Sequence, residues 1–130
     1  MSDLGAVVYV LDLGRAVVFY RATTNWSVLE QESGFATLQS PSVQGATILT
    51  LVQIPDEIAA DITIADPPQR RDETPIKLSF AVNDLAEVRA LAATVGGVVD
   101  SVDMEWTFGT VRVVDGHDPE GNVVQFRQSI

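Results

Sequence analysis

Hydrophobic positions along the chain switch between a two-residue and a 3.6-residue period, and the switches mark out elements. Residues 6–11 (Ala-Val-Val-Tyr-Val-Leu) are β-branched and aromatic and predict a buried strand. Asp12 then supplies an N-cap oxygen, and Leu13, Ala16, Val17 and Tyr20 form one stripe of a short helix that ends in Thr23-Thr24-Asn25. Alternating stretches at 26–31, 35–39 and 46–53 predict three strands. Breaks at Ser33-Gly34 and from Ser40-Pro41 to Gly45 separate them. The first half therefore reads strand, helix, strand, strand, strand.

The second half runs in the same order. Residues 76–82 predict a strand. Asp84 with Glu87 three residues on is a capping-box pattern, and Leu85, Val88, Leu91 and Ala92 give a helical stripe that Gly96-Gly97 stops. Strands are expected at 98–104, 107–114 and 122–128, with residues 115–121 as a turn before the last. An offset of 72 carries Val10, Asp12 and Leu13 onto Val82, Asp84 and Leu85, and an offset of 75 carries Ile48-Leu49-Thr50-Leu51 onto Val123-Val124-Gln125-Phe126. A period of this kind indicates an internal duplication. The expectation is one α+β domain over residues 1–130, with βαβββ modules at 1–53 and 76–130. Residues 54–75, rich in proline and acids, read as a solvated linker, with an acidic lip over a ligand site as the alternative.

Composition narrows the function. The chain has 130 residues, enough for one core, and 46% of them are apolar. Eighteen Asp and Glu against 8 Lys and Arg set a net charge of −10, which repels nucleic-acid phosphates and anionic membranes alike. No cysteine is present, which removes disulfides and thiolate chemistry. Residues 1–5 carry an acid where a secretory signal carries positive charge, and no apolar run approaches a membrane span. A cytoplasmic domain is expected.

The duplicated βαβββ order, the run from Val10-Leu11-Asp12-Leu13 to Phe19-Tyr20-Arg21, and the Asp118-Pro119-Glu120-Gly121-Asn122 turn before an apolar strand together resemble the vicinal oxygen chelate superfamily. That superfamily contains glyoxalase I, extradiol dioxygenases and bleomycin-resistance proteins. The resemblance covers nearly the whole chain and implies curved mixed sheets forming a cleft. It also implies a homodimer in which a second chain often completes that cleft. In the superfamily's metalloenzymes, ligands sit near the start of each module's first strand and within its fourth. Those places here hold Gly5, Lys77, Thr50 and Gln125: no side chain, an ammonium, an alcohol and an amide. Such a set is far poorer than the His and carboxylate sets that hold Zn, Fe or Mn. No metal, no cofactor and no catalytic residue is expected.

Strand alternation turns Gly5, Val7, Tyr9, Lys77, Ser79 and Ala81 toward the cleft and Leu78, Phe80 and Val82 toward the helices. Ile48, Thr50 and Val52 share one face of their strand, as do Val123, Gln125 and Arg127. Trp26, Phe35, Trp106 and Phe108 are expected near the rim, where flat rings can stack on planar or cationic ligands, with core or interface packing as the other reading of Trp26 and Phe35. The ligand-binding set is accordingly Tyr9, Trp26, Phe35, Thr50, Lys77, Trp106, Phe108 and Gln125. His117, the single histidine, reads as a solvated turn residue. Lys77, the single lysine, reads as paired with an acid rather than as a Schiff-base amine.

Two functions remain, beside the blander one of an accessory or stress-linked domain whose pocket is vestigial. One is metal-independent binding that sequesters a planar or cationic antibiotic-like molecule, as the resemblance to the bleomycin-resistance branch implies. The other is a lyase, isomerase or oxygenase of the same superfamily with diverged ligands, using Lys77, Gln125 or His117.

Overall fold

The first strand, β1 (Gly5–Val10), leads directly into α1 (Leu13–Thr24), because the Asp12 carboxylate accepts the amide of Arg15 and starts the helix. This is the arrangement in a computed structural model that describes residues 4–42 and 45–130. Residues 1–3, and residues 43 and 44 of the expected break, lie outside the described residues. Helix α1 stops at Asn25, whose left-handed backbone (φ 60°) directs its amide to the Arg21 carbonyl. Strands β2 (Ser27–Gln31), β3 (Phe35–Gln39) and β4 (Ile48–Gln53) follow. They form a four-stranded mixed sheet in the order β1-β4-β3-β2, with β1 parallel to β4.

After a single-turn helix, α2 (Asp56–Ala59), the second module repeats the plan with β5 (Leu78–Ala81) and α3 (Leu85–Thr94). The Asp84 carboxylate caps α3 through the amides of Ala86 and Glu87. The helix closes in a Schellman-type turn in which the Gly97 amide reaches back to the Ala92 carbonyl. A Cβ on Gly97 would lie 2.2 Å from the Phe19 ring, so glycine there lets the two modules' helices approach. The sheet of this module has the order β5-β9-β8-β6, with β6 (Val98–Val99), β8 (Val111–His117) and β9 (Val123–Ser129), and β7 (Trp106–Phe108) also pairs with β8. The architecture is α+β, with two mixed sheets and few helices.

The duplication holds at the level of single residue pairs. In the first module Ala6 pairs with Leu49 and Val7 with Thr50; in the second, Leu78 pairs with Val124 and Ser79 with Gln125. These are the same positions shifted by 72 on one strand and 75 on the other. Parallel pairing of first and fourth strands puts one face of each sheet under its helix. There Val10, Leu49, Leu51, Phe80, Val124 and Phe126 join Phe19, Tyr20, Leu85 and Val88 in one continuous core. Burying each large side chain contributes about 1.5–3 kcal/mol. Phe80 sits at its centre, with ring contacts to Tyr20, Trp26 and Phe126 at 5.9, 5.2 and 6.0 Å.

Two expected elements differ. The strand over 98–104 is only Val98–Val99 followed by a 3₁₀ turn at Val102–Met104, and the turn expected at 115–121 is shorter. Strand β8 runs through Asp115 and Gly116 to His117, since all three pair with β9, and His117 and Gly116 also pair with β6. Only residues 118–122 turn.

That turn is the joint between the modules. The Glu120 carboxylate, 7% exposed, accepts the amides of Leu11 at 2.8 Å and Asp12 at 2.9 Å, at the start of α1. The Tyr20 hydroxyl donates to Asp118 at 2.8 Å, and Asp118 also accepts from the amides of Glu120 and Asn122. Burial, then the Asp118 charge, push the Tyr20 phenol well above its ordinary pKa, so it remains a donor throughout the usual pH range. The segment expected as a solvated linker is tied to the same turn. The Arg71 amide donates to the Gly121 carbonyl, while Arg70 makes a two-pronged ion pair with Asp100.

Candidate functional site

The register fixes which side chains share the face turned away from the helices. In the first sheet Val7 pairs with Thr50 and Tyr9 with Val52, and Phe35 lies across β4 from Val52. Tyr9, Phe35 and Thr50 therefore share this open face, where Val7 is 58% and Tyr9 63% exposed. In the second sheet Ser79 pairs with Gln125 and Ala81 with Arg127. Trp106 and Phe108 join them by pairing with Val113 and Val111, which lie opposite Arg127 and Ser129. The edge strands β1 and β5 line a common cavity of about 250 Å³, into which Tyr9, Ile76 and Lys77 contribute. Seven of the eight expected ligand-binding residues thus fall on the open face or at its central cavity.

Trp26 does not. It stands between the helix cap and β2, and its ring meets Phe80 edge-on in the core. Its free edge lines a groove of about 690 Å³ with Val18, Arg21 and Asn25 on the helix side of the molecule. His117 also departs from expectation. It is 7% exposed, and its Nδ1 accepts from Arg70 Nε at 3.1 Å. Burial first, and the Arg70 guanidinium second, hold its pKa below the ordinary value.

The polar groups on the open face form two sets. Lys77 Nζ lies 3.0 and 2.9 Å from the two oxygens of Asp115 and 5.8 Å from the centre of the Trp106 ring. Beside it runs a directed chain: Arg127 Nη1 donates to Ser79 Oγ at 2.9 Å, and Ser79 donates to Gln125 Oε1 at 2.7 Å. Sequence reasoning missed Asp115, Ser79 and Arg127 as members of the site. The alternation that put Ser79 and Arg127 on this face was the signal available for two of them.

The four places where metalloenzymes of this fold carry ligands can now be tested as a donor set. Gly5 offers no side chain and Thr50 a neutral hydroxyl. Lys77 places an ammonium there, already engaged by the nearest carboxylate, and the Gln125 oxygen is taken by Ser79. Among the described residues no three His, Cys, Asp or Glu side chains gather into a cluster. These residues do not fit a divalent ion. Among the described residues, too, no helix is long and apolar enough to cross a membrane.

Comparison with known proteins agrees with the fold. The chain is similar to a glyoxalase/bleomycin resistance protein/dioxygenase family enzyme from Burkholderia phytofirmans PsJN, with a TM-score of 0.70 and 12% identity over 100% of both chains. It is similar to a glyoxalase/bleomycin resistance protein from Albidiferax ferrireducens T118, with a TM-score of 0.66 and 18% identity over 98% of both. A glyoxalase/bleomycin resistance protein from Catenulispora acidiphila DSM 44928 gives 0.59 and 21% over 100% of both. No curated protein matches significantly. The family described as the glyoxalase-like domain matches residues 5–126, which takes in both modules and the segment between them. The chain belongs to this glyoxalase-like domain family, within the vicinal oxygen chelate superfamily.

Proposed function

We propose that the protein binds a planar, antibiotic-like small molecule on its open face without a metal ion, in the manner of a sequestering protein. The observation that carries this reading is the substitution of the chelate by Lys77, whose ammonium pairs with Asp115 at the mouth of the second sheet. A divalent ion at that place would face a positive charge at contact distance. Aromatic surface supports the planar part: Tyr9, Trp106 and Phe108 are all exposed on this face, Phe108 to 74%. Rings of this kind contribute about 0.5–1.5 kcal/mol per stacked contact. A second copy of the chain covers part of this apolar face in the proposed assembly, a homodimer measurable by light scattering.

The test is titration of protein dialysed against a chelator with a fused-ring aromatic probe such as 2-naphthamide. Binding is expected to survive the chelator and to weaken about 2- to 12-fold in Trp106→Ala, the ratio that one ring contact sets. Trp26→Phe leaves it unchanged. A stoichiometric divalent ion that resists the chelator, or binding that vanishes with it, overturns the proposal.

A further inference from the structure

We infer that the binding site recognises a carboxylate on its planar ligand, held by Arg127 and Gln125, an inference that rests on the binding function proposed above. Three arginines of the chain are half-buried: Arg70, Arg89 and Arg127. Arg70 is paired with Asp100 and Arg89 with Glu105. Arg127 has no carboxylate partner among the described residues, and its one side-chain bond goes to the neutral Ser79 hydroxyl. A partly desolvated guanidinium carries five donors in a planar fork that matches a carboxylate. Here most of that fork is unused.

The chain of hydrogen bonds fixes the neighbouring amide in the same sense. Arg127 can only donate, so Ser79 accepts from it, and Ser79 in turn donates to Gln125 Oε1 at 2.7 Å. Gln125 thus presents its oxygen to Ser79, which leaves the two N–H donors of its amide nitrogen for a ligand. Asp115, which lies opposite Gln125, gives both its oxygens to Lys77 and makes no bond to Arg127. What remains on this face is a guanidinium with no carboxylate partner among the described residues, beside the Gln125 amide donors.

The spacing supplies the rest of the ligand. Trp106 and Arg127 flank the buried Val113 in one row across β7, β8 and β9. Two interstrand steps separate them by roughly 10 Å, the length of a small fused-ring acid laid across the row. The net charge of −10 acts through solvent and is screened within about 8 Å at physiological salt. At contact distance the guanidinium decides, and the preference is for an anion although the whole molecule is acidic.

The experiment is calorimetric titration with three probes of one shape: 2-naphthoate, 2-naphthamide and 2-naphthylmethylammonium. Naphthoate is expected to bind at least ten-fold more tightly than the amide, with the ammonium weakest. Arg127→Gln should bring naphthoate down to the level of the amide. Arg127→Lys, which keeps the charge but not the fork, should recover only part of the preference, and Ser79→Ala should weaken naphthoate several-fold by releasing the Gln125 amide. Circular dichroism on each variant confirms that the fold is retained. Equal binding of acid and amide overturns the carboxylate inference while leaving planar binding intact. Tightest binding of the ammonium overturns it as well, and no binding of any probe overturns both.

Discussion

Replacing Glu120 by alanine should destabilise the protein by about 2–4 kcal/mol, far more than an ordinary acidic residue on a loop. Its carboxylate holds the amides of Leu11 and Asp12 at 2.8–2.9 Å, across 109 and 108 residues of sequence. Hydrogen bonds to a charged group contribute about 1.5–3 kcal/mol each, and an amide left without a partner in a buried place costs a similar amount. Leu11 is only partly accessible and bears that cost nearly in full. Asp12 is exposed, so water replaces most of its bond and the second contribution is smaller. With an unfolding entropy of about 2.1 cal/mol/K per residue, the loss corresponds to a fall in Tm of about 7–15 °C. Glu120→Gln keeps one acceptor and loses the charge, so about half the effect is expected.

Urea unfolding followed by both circular dichroism and tryptophan fluorescence measures this directly. Trp26 lies against the core and Trp106 on the open face, so one emission signal samples both modules. Coincident transitions establish two-state behaviour, and an unchanged slope assigns the loss to the native state. A loss below about 0.5 kcal/mol for the alanine variant would refute the reasoning. It would mean that water solvates both amides and that apolar packing alone joins the modules.

Three further outcomes are expected. Tyr20→Phe removes the donor to the buried Asp118 carboxylate and should cost about 1–3 kcal/mol, measured by the same unfolding curves. Gly121→Ala should cost more than about 1 kcal/mol, because the backbone there has φ +84° and a Cβ would lie 2.1 Å from the Gln69 carbonyl oxygen. The folded His117 has a lowered pKa, set by burial and Arg70 against the opposing charges of Asp118, Asp100 and Asp72. The unfolded chain therefore takes up that proton first. Stability from this group is complete above the ordinary histidine value and declines as pH falls below it. A series of Tm values from pH 7.5 to 5.5 should slope downward, and His117→Gln should flatten the slope.

Much of the fold was readable because each module buries one face of its sheet. That requirement writes period two into residues 35–39 and 48–53 and a helical stripe into Leu13, Ala16, Val17 and Tyr20. Elements failed where a contact distant in sequence outweighed local preference. Asp115 and Gly116 look like turn residues. Yet Asp115 pairs with Lys77, 38 residues away, and Gly116 is needed in a strand because a Cβ would meet the Val98 carbonyl at 2.4 Å. Trp26 follows a left-handed cap, so the exit of the helix rather than strand alternation sets its direction. The Asp118 and Glu120 motif was visible as a turn, but its clamp on the opposite module has no local signature.

The two modules kept one backbone plan and parted in chemistry, and that divergence is what gives the open face its direction. The position that is Val7 in the first sheet is Ser79 in the second, and Thr50 becomes Gln125, with the pairing between them unchanged. Continuing along the strands, Val52 corresponds to Arg127 and Tyr9 to Ala81, again paired in the same register. At these positions one half of the face is therefore apolar, while the other, which also carries Trp106 and Phe108, gathers hydrogen-bond donors around a guanidinium with no carboxylate partner among the described residues. A symmetric face would suit a symmetric ligand or an ion held equally by both halves. An uneven one suits a molecule with a flat apolar body and a polar end, the body over Trp106 and Val113 and the polar end over Arg127 on β9.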